Sequence, residues 1–553
     1  MRTRVRYVLI VPVLVFLGIF YFYPLAAIFG LSFSGQETGG SGSLAKLVST
    51  GYYAGVLWFT TWQALLSTLL TLLLALPGAY VFANFDFRGK ELIQSLTTIP
   101  FVLPTLVVAA AFESLLGRGG LLNTALMRIF DLPEPVICIS QTVWFFLLAH
   151  VFYNYTVVLR IVGGFWARLP KDLTAAARML GASPARVFLQ VTLPLLGPSI
   201  LAASLLVFVF CFTSFGVVLI LGGPSLATVE VEIYRQAVQL FNLPLAAVLS
   251  LVQILFTFGL MALYTRFEGR TAVSLMPEVI GPARRAVRTG PEKFLIRSNS
   301  ALMALLLGAP LGALVLGSVM TENGFSFAYY LGLLENRAQS ILYVAPLEAL
   351  LNSLILALTA TLIALTLGFA AAAFLAGPKS RATALLDPLF MLPLSTSAVT
   401  LGFGFIIALD EPPLNLRTSW ILPALAHALV AFPFVIRSLL PAWRSIPTGL
   451  REAAACLGAS PFLIWRTVDW PVLGRALAVG AVFSFVISLG EFGATVFVAR
   501  PQTPTLPLAI YRYLTHPGDM NYGQALAMSC LLMAVTAIGF LALDRIRLVR
   551  GGA

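Results

Sequence analysis

The chain has 553 residues and a formal net charge of +12, and it is 59% hydrophobic with 10% charged residues. Its mean hydropathy is +0.92. Soluble domains carry about 25% charged residues, so this composition excludes a water-soluble enzyme. A basic chain this apolar places its Lys and Arg at the anionic cytoplasmic face of a membrane rather than on nucleic acid.

In chain order, Arg2, Arg4 and Arg6 precede an apolar run from Tyr7 to about Phe33. That run exceeds the 7–15-residue core of a signal peptide and reads as an uncleaved first span. A membrane helix needs about 20 largely apolar residues, and twelve segments qualify. The first six are 7–32, 56–83, 93–114, 140–163, 197–221 and 244–265. The second six are 300–320, 345–376, 384–409, 418–442, 474–498 and 523–543. The runs are too long and too uniformly apolar for barrel strands, and backbone groups in lipid must bond within their own segment. The expected fold is an all-α membrane protein of about twelve helices.

With the N-terminus inside, 27 of the 35 Lys and Arg fall on the cytoplasmic side. This asymmetry predicts two cytoplasmic termini. A basic segment at 267–299, with Pro277, Pro282 and Pro291, separates residues 1–266 from 300–553. Six spans in each part make the two halves parallel in topology.

The halves are a duplication. Leu169–Pro184 and Ile446–Pro461 share one pattern at an offset of 277 residues, which also pairs His150 with His427, Arg160 with Arg437 and Phe215-Gly216 with Phe492-Gly493. Thr228 pairs with Thr505, and Ile233-Tyr234-Arg235 with Ile510-Tyr511-Arg512. Upstream the register slips, and Phe101-Val102-Leu103-Pro104 matches Phe390-Met391-Leu392-Pro393 at an offset of 289.

The repeated polar segments, 169–194 and 446–471, lie on the same predicted face. Pro170 and Pro447 suit a first helical turn. Ala175, Ala176 and Ala177, and Ala453, Ala454 and Ala455, favour a short helix with a bare surface. Gly181 and Gly458 suit its C-terminal cap, and Pro194 and Pro471 restart the chain before the next span. Small side chains let another protein approach closely.

This pattern resembles the EAA loop of ABC importer permeases: Glu-Ala-Ala, three residues, Gly, then about a dozen residues to a Pro. Glu452, Ala453, Ala454, Gly458 and Pro471 fit throughout. In the first copy Ala175 stands in place of the Glu, while Ala176, Ala177, Gly181 and Pro194 fit. The resemblance implies the type I importer permease fold, with each loop docking in one copy of a cytoplasmic ATPase subunit and an external solute-binding protein delivering the substrate. Fused two-copy permeases resemble the iron(III) and thiamine importers. Leu148–Asn154, Cys211–Phe215 with Leu221-Gly222-Gly223, and Thr505-Leu506-Pro507 look most like the thiamine type. The implied substrate is thiamine or its phosphates, with iron(III), another cation, a polyamine or a phosphonate as alternatives.

No GxxxxGK[ST] loop occurs, so ATP binding belongs to partner chains. Cys138, Cys211, Cys456 and Cys530 are scattered, and neither a disulfide framework nor a metal site is expected. No catalytic residue and no cofactor is expected; the partners are the ATPase pair, the binding protein and lipid, and no nucleic acid. A secondary transporter would need several intramembrane carboxylates. His150 and His427 read as a proton relay or as bonds between helices, and Arg160 and Arg437 as gating or snorkelling groups. Glu491 lies in an apolar run; it either lines the path with Ser214, Phe215 and Phe492 or is solvated at the external interface. Tyr234 and Tyr511 read as an interfacial aromatic belt.

Overall fold

The computed structural model describes residues 3–33, 51–97, 99–272, 285–287, 289–321, 324–335, 344–378, 380–410, 412 and 414–548. Among them, eleven helices are long and apolar enough to cross a membrane. A twelfth span is a bent pair, Arg381–Ser395 with Ala398–Leu409, that turns by 96°. The first half holds Tyr7–Phe33, Gly51–Asn84, Thr105–Phe130, Val143–Trp166, Pro184–Phe212 and Leu243–Phe267. The second holds Gly290–Gly317, Pro346–Leu375, the bent pair, Leu422–Arg444, Pro461–Gly490 and Asp519–Leu541. The all-helical expectation agrees with this architecture.

The helices are inverted relative to soluble ones. Along the second span, Leu65, Leu69 and Leu73 are exposed at four-residue spacing, while Thr60, Gln63, Ser67 and Thr71 are buried. The eighth repeats this, with Leu351, Ile355, Leu358 and Leu362 outward and Ser353, Ala357 and Ala364 inward. Lipid solvates the apolar face, so association relies on small residues and on hydrogen bonds between helices. At Gly78 an added Cβ would sit 2.4 Å from the Tyr155 hydroxyl, and at Gly368 one would sit 2.6 Å from Val435. Glycine therefore sets the spacing of the second and fourth spans, and of the eighth and tenth.

Each half's first span crosses to the other half. Tyr21 hydrogen-bonds Thr396 of the ninth span at 2.7 Å, and Phe20 packs edge-on against Phe405. Reciprocally, Ser114 of the third span donates to the Ala313 carbonyl of the seventh at 2.9 Å. Tyr155 of the fourth donates to Asn299 of the seventh at 3.4 Å. The two halves are thus strapped together at both sides.

Several boundaries differ from the sequence expectation. The segment expected as a third span from 93 is broken into Lys90–Leu96, Ile99–Val102 and Thr105–Leu116, the second break falling at Pro104, which has no N–H to continue a helix. The seventh helix begins at Gly290, where Thr289 and Glu292 form a capping box. The sixth continues to Ala272, and of the basic segment expected at 267–299, residues 273–284 and 288 lie outside the described residues. Pro194 and Pro471 do not restart the chain. They lie inside spans beginning at Pro184 and Pro461, each after a five-residue π turn, Phe188–Thr192 and Trp465–Asp469, which accommodates the missing donor.

Candidate functional site

The fifth and eleventh spans, expected to run to 221 and 498, both break where the repeat placed its Phe-Gly pair. The fifth ends at Phe212 and resumes at Gly216–Leu221. The eleventh ends at Gly490 and resumes at Thr495–Val498. An added Cβ at Gly216 would lie 2.7 Å from Thr105 Oγ1 and 3.4 Å from the Phe492 ring, so only glycine lets the third span approach the break.

Two histidines clamp these breaks. His150 bonds Ser67 through Nδ1 at 2.8 Å and Ser214 through Nε2 at 2.9 Å. His427 bonds Ser488 at 2.8 Å and Thr495 at 2.8 Å, on either side of the second break. Both rings are 2% exposed, and all their partners are hydroxyls. The geometry is that of bonds between helices rather than a chain of carboxylates and histidines. Arg160 and Arg437 are exposed.

At the seam between the halves, Phe215 and Phe492 stack with centroids 5.5 Å apart. Tyr234 packs edge-on against Phe215 at 5.5 Å, and Tyr511 meets Phe492 at a tilt with centroids 5.4 Å apart. Tyr234 also meets Phe497 at 5.9 Å. The interfacial-belt reading of Tyr234 is therefore corrected, while Tyr511 is half-buried. Tyr234 is 7% exposed, because its short helix, Val229–Tyr234, folds back into the protein with every residue buried.

That re-entrant helix carries two acidic residues that the sequence reading passed over. Glu230 is fully buried and accepts from Ser397 of the second half at 2.7 Å and from Gln253. Glu232 accepts from Tyr52 at 3.0 Å and from Gln236 at 2.7 Å. Glu491 accepts from the Ala494 N–H at 2.8 Å. Among the described residues neither Glu230 nor Glu491 has an ion-pair partner. Ser214 is held by His150. The signal for Glu230 was present: at an offset of 277, Val229-Glu230-Val231-Glu232-Ile233-Tyr234-Arg235 faces Leu506-Pro507-Leu508-Ala509-Ile510-Tyr511-Arg512. Two acids therefore interrupt an otherwise apolar repeat. No group of three or more His, Cys, Asp or Glu among the described residues suits a metal ion.

The two repeated loops fold alike. Lys171–Met179 and Thr448–Cys456 are short helices, with Pro170 and Pro447 at the N-cap position. Gly181 has φ +83° and Gly458 φ +81°. Gly181 N–H donates to Arg178 at 3.0 Å and Ala182 N–H to Ala177 at 3.1 Å; Gly458 and Ala459 repeat this with Ala455 and Ala454 at 3.0 Å each. This is the Schellman cap, whose left-handed residue favours glycine. Ala175, Ala176, Glu452 and Ala453 are exposed, while Ala177 and Ala454 are half-buried. Pro194 and Pro471 are exposed. Met179 and Leu180 are 89% exposed and Leu457 88%.

A duplicated set of twelve spans, a central seam closed by aromatic rings and two matching bare loops define a two-fold membrane permease. The chain belongs to the family described as binding-protein-dependent transport system inner membrane component, which it matches over residues 67–273 and 364–547. It is thus the permease subunit of an ABC importer, an integral multi-pass inner-membrane protein that transports rather than catalyses. Among its relatives is the "Thiamine transport system permease protein ThiP" of Brucella abortus, 28% identical over 91% of this chain and 90% of that one. The protein of the same name in Escherichia coli is 27% identical over 84% of each chain. The "Probable ABC transporter permease protein y4fN" of Sinorhizobium fredii is 24% identical over 92% of this chain and 90% of that one.

Proposed function

We propose that this permease carries thiamine or one of its phosphates from an external binding protein to the cytoplasm. The carrying observation is the likeness to permeases named for thiamine transport over nine-tenths of both chains. The seam agrees with a cationic cargo: Glu230, bonded across it to Ser397, and Glu491 of the other half have no basic partner among the described residues. Phe215 and Phe492 then act as the closed gate of the path, with Ser214 and Glu491 beside it.

Each loop docks one copy of a cytoplasmic ATPase subunit, the first through Ala175, Ala176, Ala177 and Gly181, the second through Glu452, Ala453, Ala454 and Gly458. Exposed Met179, Leu180 and Leu457 supply the apolar contact. Closure of the ATPase pair moves both loops and switches access at the seam. Both termini lie in the cytoplasm, a placement that the distribution of Lys and Arg supports. The test is uptake of labelled thiamine into proteoliposomes holding permease, ATPase and binding protein. ATP-dependent uptake competed by thiamine phosphates is expected. Uptake of ferric ion or a polyamine in place of thiamine overturns the substrate reading.

A further inference from the structure

The duplication gives each docking loop the same surroundings, yet the two sides are not filled alike. Beneath the first loop lies a cavity of about 1040 Å³ between the second and fifth spans. Leu73, Leu193 and Ile200 line one wall, and Thr174, Ala175 and Arg178 of the loop line the other. The corresponding crevice of the second half, at Leu365, Phe369, Trp470 and Leu477, holds about 430 Å³ and does not reach its loop.

Substitutions at matched positions explain the difference. Phe188 and Leu193 correspond to Trp465 and Trp470, bulkier rings that lie 5.3 Å apart, with Trp470 lining the smaller crevice. Thr174 and Thr192 correspond to Arg451 and Asp469, an ion pair at 2.7 Å that ties the second loop to its span. Flanking pairs are retained: Tyr80 with Trp166 and Phe369 with Trp443 both lie at 5.3 Å. The scaffold is conserved between the halves, and the first lacks the tryptophan pair and the ion pair of the second.

The open cavity has apolar walls, it faces lipid where Leu73 is 69% exposed, and its size is at the upper end of ligand sites, roughly 300–1,000 Å³. The surrounding charge is also asymmetric. Residues 166–193 carry Arg168, Lys171, Arg178 and Arg186 against Asp172. The matching 443–470 carry Arg444, Arg451 and Arg466 against Glu452 and Asp469. Basic groups beside an apolar slot at the cytoplasmic leaflet fit an anionic lipid.

We propose that this cavity holds an anionic phospholipid of the cytoplasmic leaflet, its acyl chains between the second and fifth spans and its phosphate at Arg178. The lipid braces the first docking loop as Trp465, Trp470 and the Arg451–Asp469 pair brace the second. The proposal rests on the cytoplasmic placement of the loops and is independent of the substrate.

The complete importer is reconstituted with phosphatidylglycerol carrying a photoactivatable acyl chain, and separately with the matching phosphatidylcholine. Labelling of residues 184–200 by the anionic probe is expected, several-fold above labelling by the zwitterionic one and above labelling of 461–477. Equal labelling by both lipids, equal labelling of both halves, or no label at 184–200 overturns the proposal. The paired substitution Phe188→Trp with Leu193→Trp installs the second half's residues. It is expected to abolish the label and to flatten the dependence of ATPase rate on phosphatidylglycerol. Unchanged labelling in that variant also overturns it.

Discussion

Phe215 and Phe492, one from each half and 277 residues apart, stack across the seam with their ring planes 17° apart. A parallel pair contributes about 0.5–1.5 kcal/mol beyond its area, and it is lost when the halves separate. The stack therefore favours the closed seam without locking it. Phe215→Ala or Phe492→Ala is expected to raise basal ATPase activity of the reconstituted complex and lessen its dependence on loaded binding protein. Unchanged basal activity in both variants would remove the gate role.

The charges at the seam break the symmetry. Glu491 replaces the serine of the first half, and Glu230 replaces the proline of the second. Glu491→Gln keeps an acceptor for the Ala494 N–H and removes only the charge. A fall of about tenfold in uptake is expected, equivalent to about 1.4 kcal/mol, with the complex still assembled. Glu230→Gln should act in the same direction. If uptake and substrate-stimulated ATPase match the wild type in both variants, the two carboxylates are structural, and the argument for a cation goes with them.

Gly458→Asp tests the docking surface. A Cβ at Gly458 or at Gly181 meets nothing within 4 Å in this chain, so neither change causes a clash within it. Loss of glycine at positive φ costs on the order of 1 kcal/mol. Gly458→Asp is expected to abolish transport while leaving the permease in the membrane, and Gly181→Asp to impair it. Co-purification of the ATPase reports the cause: normal association in Gly458→Asp would argue against docking at that cap.

His427→Ala should weaken the fold rather than a proton pathway. It leaves the buried Ser488 hydroxyl without its partner, at about 1–3 kcal/mol for an unsatisfied group, while Thr495 keeps its bond to the Glu491 carbonyl at 2.9 Å. A clear drop in Tm in detergent is expected, against little change for exposed Arg437→Ala. A full-length variant with wild-type Tm but no transport would instead return the histidine to the mechanism.

Native cysteines test the orientation. Cys138 and Cys456 are exposed, and Cys211 and Cys530 are buried. In right-side-out vesicles a membrane-impermeant maleimide should label Cys138 and spare Cys456; in inside-out vesicles the pattern should reverse. Labelling of Cys456 from outside would invert the topology and the assignment of both docking loops.

The span count, the duplication and the cap glycines were legible in the sequence because each rests on local physics. Apolar run length decides what lipid accepts, an offset of 277 residues exposes a copied unit, and Gly after an Ala-rich helix fits a left-handed cap. The broken ends of the fifth and eleventh spans were not legible, since Phe212 to Leu221 is apolar throughout save Thr213, Ser214 and Gly216, and the groups that meet the breaks, Thr105 and the two histidines, are distant in sequence. Glu230 was passed over for the same reason. In sequence it lies in a connecting segment between the fifth and sixth spans, and only the folding-back of Val229–Tyr234 against Ser397 and Gln253 buries it. The unequal filling beneath the two loops likewise required the fold. Composition and periodicity determine what each segment does against lipid, but the contacts that give a buried charge or a cavity its meaning come from residues hundreds of positions away.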